Sequence, residues 1–142
     1  MKIIKATPEH IVDLALMLRD MYMEVFTAYA SEDLDLYIHE IIRCFNDSKQ
    51  CIYTTNTLDG IVIVVDTTDT LTPTLLRCQC TRVYIKPEQR HSKLLRQFYD
   101  KLFEDYPEGS ILGFTEINSS HIKVLDKRHE LIAKVYKLDR SK

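Results

Sequence analysis

At 142 residues the chain fits one domain over 1–142, long enough to bury a core and too short for two ordinary domains. Its 19 Lys and Arg against 21 Asp and Glu leave a formal net charge of -2, which excludes a global basic field of the kind that holds nucleic acid. The apolar stretch after Met1 is too short for a signal peptide and the run Ile61 to Val65 too short to span a bilayer, so the expectation is a cytoplasmic protein without a membrane partner.

Lys2 to Ala6 alternates polar and apolar residues and reads as a short strand. Thr7-Pro8-Glu9 then offers a cap, a proline for the first helical position and an early acid. The helix that follows carries Ile11, Leu14, Leu18, Met21, Tyr22 and Val25 at helical spacing, with Asp13, Arg19, Asp20 and Glu24 on its wetter side. Ser31-Glu32-Asp33 caps a second helix whose buried side is expected to hold Leu34, Tyr37, Ile38, Ile41, Ile42 and Phe45. From Gln50 the period falls to two. Cys51 to Tyr53, the turn signal Asp59-Gly60 and the run Ile61 to Val65 make an antiparallel hairpin. After a polar loop, Asp66 to Pro73, a long strand is expected over Leu75 to Ile85, stopped by Pro87. Leu94, Leu95, Phe98, Tyr99 and Leu102 give a third helix, ended by Pro107-Glu108-Gly109. A buried strand from Ile111 to Ile117, a short helix from Ser119 to Arg128 and a last strand from Leu131 to Leu138 complete the order β-α-α-β-β-β-α-β-α-β. Leu75–Ile85, the third helix and Ile111–Ile117 form a βαβ unit, so those two strands should run parallel, and they should diverge at their C-terminal ends because the helix after Pro87 must start beside that opening.

Cys44, Cys51, Cys78 and Cys80 read as buried or half-buried thiols. Cys78 and Cys80 share one face of one strand, a poor geometry for a disulfide. No C-x-x-C knuckle occurs, and His10, His39, His91, His121 and His129 are scattered without ligand spacing, so no metal is expected.

The element order, Val83-Tyr84-Ile85-Lys86-Pro87-Glu88-Gln89-Arg90 at the end of the long strand and Asn118 to Arg128 after the next one, resembles the GNAT superfamily of acetyl-CoA-dependent N-acetyltransferases over nearly the whole chain. The string Asn118-x-Ser120-His121-Ile122-Lys123-x-Leu125 is similar to that of small divergent acetyltransferase-like proteins of tailed bacteriophages, including an internal virion protein of podoviruses. The resemblance implies an α/β (α+β) fold: a GNAT-like mixed, mostly antiparallel sheet with a central parallel pair and about four helices. It also implies acetyl-CoA as cosubstrate. Main-chain groups near Val83 and Ile85 would align the pantetheine, Arg90 would open the pyrophosphate signature Q/R-x-x-G-x-G/A, and Asn118 would face the pantetheine arm.

The chain departs from that pattern twice. The signature glycines fall at Lys93 and Leu95, so the close approach of a diphosphate to bare amides is lost. Arg90, His91, Ser92 and Lys93 instead put two fixed cations, an imidazole and a hydroxyl at a helix start whose dipole favours an anion. The same residues also read as a solvated helix start, with Leu95 simply part of the apolar stripe. The second departure is Leu125, where many family members place the tyrosine that protonates the leaving thiolate. Glu116, steering a water toward the amine, and His121, protonating the thiolate, are the candidate catalytic replacements, beside their plainer readings as an outward strand residue and a polar helix start. A covalent mechanism through Cys78 or Cys80 ranks below direct transfer.

Two functions follow. One is an N-acetyltransferase acting on an unidentified amine. The other is a catalytically silent GNAT-fold binding or virion protein that engages a host or virion partner, in the host cytoplasm or the particle. Nucleic-acid binding through Arg77, Arg82, Arg90, Lys93 and Arg96 is the weaker third, because the net charge is slightly negative.

Overall fold

The computed structural model describes residues 2–106 and the backbone of Ile111–Leu112. The chain enters as strand β1 (Ile3–Lys5) and turns at Pro8–His10, a single 3-10 turn in which His10 N–H donates to Thr7 O at 3.0 Å. Helix α1 (Ile11–Val25) buries Leu14, Ala15, Met17, Leu18 and Met21, the apolar stripe that its helical period lays along one side. Helix α2 (Leu34–Asn46) starts where Asp33 Oδ1 accepts from Asp35 N–H at 3.0 Å. Its buried residues are Tyr37, Ile41 and Cys44. Ile42, expected inside, is 37 % exposed: Ile41 takes the position facing the sheet, and one residue further round the helix points away from it.

Strands β2 (Gln50–Thr55) and β3 (Gly60–Asp66) form the expected hairpin, with Tyr53 opposite Val62. Its turn works differently from the Asp-Gly reading. Leu58 takes the left-handed conformation, at φ 56°, and Gly60 is already strand. Asp59 organises the turn by accepting from Thr55 Oγ1 at 2.9 Å and from Thr57 Oγ1.

Strand β4 (Cys78–Ile85) begins three residues later than expected, since Leu75 belongs to the preceding loop. There Leu75 N–H turns back to Thr72 O at 3.0 Å, and Thr67 N–H closes the loop on Arg77 O at 3.0 Å. Opposite β3, Ile63 pairs with Arg82 while Val64 pairs with Cys80, so Thr81 is an extra residue, a β-bulge. The bulge reverses which face each side chain meets. Cys78 and Cys80 point to the same side as Val83 and Ile85, although their numbers differ in parity.

Helix α3 (Leu94–Asp105) follows, and strand β5 (Ile111–Leu112) pairs with β4 in parallel, Cys78 with Ile111 and Gln79 with Leu112. The sheet order is β1-β2-β3-β4-β5, antiparallel through β4 and parallel at its last joint. The fold class is therefore the expected mixed α/β one. The continuation of β5 toward Ile117, the divergence of the two parallel strands, the helix Ser119–Arg128 and the strand Leu131–Leu138 lie outside the described residues.

Two cores sandwich the sheet. Helices α1 and α2 pack on Ile52, Ile61, Ile63 and Tyr84. Helix α3 packs through Leu94, Leu95, Phe98, Tyr99 and Leu102 on Tyr53, Val62, Val64, Cys78, Cys80, Val83 and Ile85 on the opposite side. Among the described residues no helix is long and apolar enough to cross a membrane.

Candidate functional site at the end of strand β4

The end of β4, the turn after Pro87, the start of α3 and the end of α1 meet in one place. Val83, Tyr84 and Ile85 are buried, and Lys86 N–H donates to Asp59 O at 2.9 Å, which ties the strand end to the β2–β3 turn. The chain then winds tightly. Gln89, Arg90 and Ser92 N–H donate to Lys86, Pro87 and Gln89 carbonyls at 2.9, 3.3 and 3.1 Å. Ser92 Oγ donates to Gln89 O at 2.6 Å and accepts from Leu94 N–H at 3.2 Å, so its hydroxyl ties the turn to the first residue of α3. Several main-chain donors of this turn are thus already engaged within it.

The structure assigns the cations different circumstances. Arg90 donates through Nε to Ile85 O at 2.9 Å and through Nη1 and Nη2 to the two carboxylate oxygens of Glu24 at 2.8 and 2.6 Å. Its guanidinium also lies 5.4 Å from the centre of the Tyr84 ring. His91 and Lys93 are exposed. Leu95 is buried at 7 % exposure in the α3 core, the place its helical spacing assigns it. A diphosphate at this turn would meet side-chain cations rather than a glycine cradle, with Lys93 the exposed fixed charge. The residues fit an anion by that route.

On the α1/α2 side of β4, the bulge directs Arg82 toward Glu40, with Nη1 to Oε1 at 2.9 Å. Arg43 grips the same carboxylate from its own helix at 2.5 and 3.0 Å. Arg43 and then Arg82 hold the Glu40 carboxyl below its ordinary range, against the opposing effect of burial. Arg82 lies 5.9 Å from the centre of the Tyr22 ring, which in turn stands 5.9 Å from that of Tyr37. Burial pushes the Tyr84 phenol up, with Asp20 adding to the effect, so it stays protonated at neutral pH. Burial likewise pushes the Cys78 thiol up to about 12 and raises that of Cys80, which removes the thiolate a covalent mechanism would need. All four cysteines are free, and among the described residues no group of three His, Cys, Asp or Glu could hold a metal ion.

Of the site residues expected from the sequence, Val83, Ile85, Arg90, Ser92 and Lys93 are thus gathered at one sheet end. Glu116, Asn118, His121 and the substituted position Leu125 lie outside the described residues. Of the five basic residues considered for nucleic acid, Arg82 and Arg90 are paired with carboxylates, while Arg77, Lys93 and Arg96 are exposed. Glu40 carried no signal in the sequence, Glu24 read only as a wetter-side residue of the first helix, and Tyr84 only as part of the strand-end motif. Glu24 stands 66 positions from the arginine it holds, a separation that no local pattern encodes.

No sequence profile of a protein family and no curated protein matches the chain. Solved structures do. The ribosomal-protein-alanine N-acetyltransferase of Brucella melitensis biovar Abortus 2308 superposes with a TM-score of 0.75 at 15 % identity, over 99 % of each chain. A predicted acetyltransferase with acetyl-CoA from Clostridium acetobutylicum reaches 0.69 at 11 % identity, over 97 % of this chain and 95 % of that one. The aminoglycoside 6'-N-acetyltransferase of Acinetobacter haemolyticus reaches 0.63 at 14 % identity, over 99 % and 98 %. At these identities the likeness is one of fold, and the fold of this chain is GNAT-like.

Proposed function

We propose that the protein is an N-acetyltransferase that moves an acetyl group from acetyl-CoA to an amine, using a pyrophosphate turn in which side chains replace glycine-framed amides. The observation that carries this reading is the joint between β4 and β5, parallel at Cys78–Ile111 and Gln79–Leu112, from which β4 runs on to the anion-compatible turn before α3. The acetyltransferase structures that share the fold support it.

Acetyl-CoA would supply an activated thioester. The chain's own part is to hold and orient it: main-chain groups near Val83 and Ile85 along the pantetheine, Lys93 with Arg90 at the diphosphate, Ser92 keeping the helix start in place, and Asn118 at the arm. Glu116 is the proposed residue for steering a proton from the amine and His121 for delivering one to the thiolate.

Calorimetric titration with acetyl-CoA at low and moderate salt tests the reading. Binding should be measurable, Lys93→Ala and Arg90→Ala should each weaken it, and the loss should shrink as salt rises, because exposed ion pairs are screened. Unchanged affinity in both variants rules out the cationic turn. No binding even at high acetyl-CoA concentration removes the enzyme reading.

A second reading is favoured by the engaged donors of the turn and by Leu125: a catalytically silent GNAT-fold protein that binds a host or virion partner of a bacteriophage. The readings separate on turnover. General acid assistance is worth ~100- to 10,000-fold, so Leu125→Tyr should accelerate acetyl transfer if the proton donor alone is lacking. His121→Ala should slow a protein in which that imidazole has taken over. An acetyl-CoA-binding protein indifferent to both changes would leave His121 and Leu125 without the assigned significance.

A further inference from the structure

Arg90 presents two distinct edges. Its Nε edge is anchored, donating to Ile85 O at 2.9 Å, and its central carbon lies 5.4 Å from the centre of the Tyr84 ring. Its outer edge, Nη1 and Nη2, carries a carboxylate in the paired geometry that guanidinium also offers to phosphate oxygens, Glu24 at 2.8 and 2.6 Å. Glu24 comes from the last turn of α1, its side chain 40 % exposed, so the carboxylate can leave this seat for water without crossing a core. His91 and Lys93, next and third along the chain from Arg90, are exposed before the start of α3.

We propose that Glu24 is a built-in competitor for anions at Arg90: a diphosphate bound at the start of α3 takes the outer edge of the guanidinium and displaces the Glu24 carboxylate into solvent. The anchored edge stays in place, so the exchange alters partners without moving the arginine backbone. No covalent step is involved. One carboxylate contact is replaced by phosphate contacts, and α1 loses its charged tie to the end of β4. The natural ligand, the coenzyme diphosphate, rests on the acetyltransferase reading; the competition itself does not.

Inorganic pyrophosphate is the probe, titrated calorimetrically into the wild type and variants whose folding is checked by circular dichroism. Glu24→Gln should bind it about three- to tenfold tighter, the scale of releasing a partly exposed paired contact. Glu24→Ala should give the same gain and serves where the amide variant fails to fold. Glu88→Gln removes a neighbouring carboxylate that acts on Tyr84 only through space, and should change affinity less than about twofold. In an Arg90→Ala background, Glu24→Gln should have no effect. Unchanged or weaker binding in both Glu24 variants overturns the proposal, as does an equal gain in Glu88→Gln or the absence of pyrophosphate binding in every variant. If pyrophosphate follows the expected pattern while acetyl-CoA does not bind, competition at Arg90 stands and the acetyltransferase reading falls.

Discussion

Gly60 lies so close to β4 that a Cβ there would sit 2.8 Å from Tyr84 O, with Ile85 Cδ1 at 3.0 Å and Phe98 Cε2 at 3.2 Å. The nearest of these is backbone and cannot swing aside. Gly60→Ala should therefore cost about 1–3 kcal/mol, the scale of overpacking a filled interior, read as a lower urea midpoint. A variant as stable as its parent would mean that β3 and β4 part locally at little cost. The glycine was visible in the sequence, but its reason was not. An Asp-Gly pair between apolar runs signals a tight turn, and here the left-handed position falls to Leu58 while Gly60 supplies close approach between strands. Both uses leave the same letter. Arg90 shows the same division at the site: its place at the head of the signature could be read directly, whereas Glu24, met only through folding, could not.

At its far end helix α3 is tied to the sheet by Tyr53 Oη, which donates to Asp105 Oδ2 at 2.6 Å. Lys101 stands 3.4 Å from the other oxygen of that carboxylate. Tyr53→Phe deletes the bond and leaves a carboxylate that can reach water, so a loss of about 1–2 kcal/mol is expected in chemical denaturation. Pairing it with Asp105→Asn should give less than the sum of the two losses; full additivity would mean that the contact contributes nothing. The amphipathic helices were legible because burial repeats along them at 3.6 residues, and the hairpin because it repeats at two. The start of β4 was not, since Leu75 and Leu76 are apolar yet belong to a loop closed by Thr67 and Arg77. Nor was the bulge, because Thr81 suits a regular strand as well as a displaced one.

Across the whole molecule, burial keeps a set of weak acids protonated. It pushes Cys78 and Tyr106 up to about 12 and raises Cys80, Tyr53 and Tyr99 as well, with the Asp105 contact adding to the Tyr53 effect. Unfolded thiols release their protons near ~8.5 and phenols near ~10. Below the first value both states hold the same protons and the contribution to stability is intact. Above it the unfolded chain ionises first, so stability should fall as pH rises toward the folded values. Thermal melts between pH 7 and 10.5 should show a falling midpoint over the alkaline half; a flat profile would mean that these groups ionise without unfolding. The β2–β3 hairpin and the parallel joint were legible from the alternation of elements, whereas the places of β1 beside β2 and of β3 beside β4 were met only through folding. The bulge at Thr81 has a further consequence for how the chain tolerates change. Along β4 the residues facing α3 are Cys78, Cys80, Val83 and Ile85, while Tyr84 is closed over by α1 and α2 on the other face, so a saturation scan scored for soluble expression should reject charge at Cys78 and Cys80, relent across Thr81 and Arg82, and reject it at three successive positions from Val83 to Ile85.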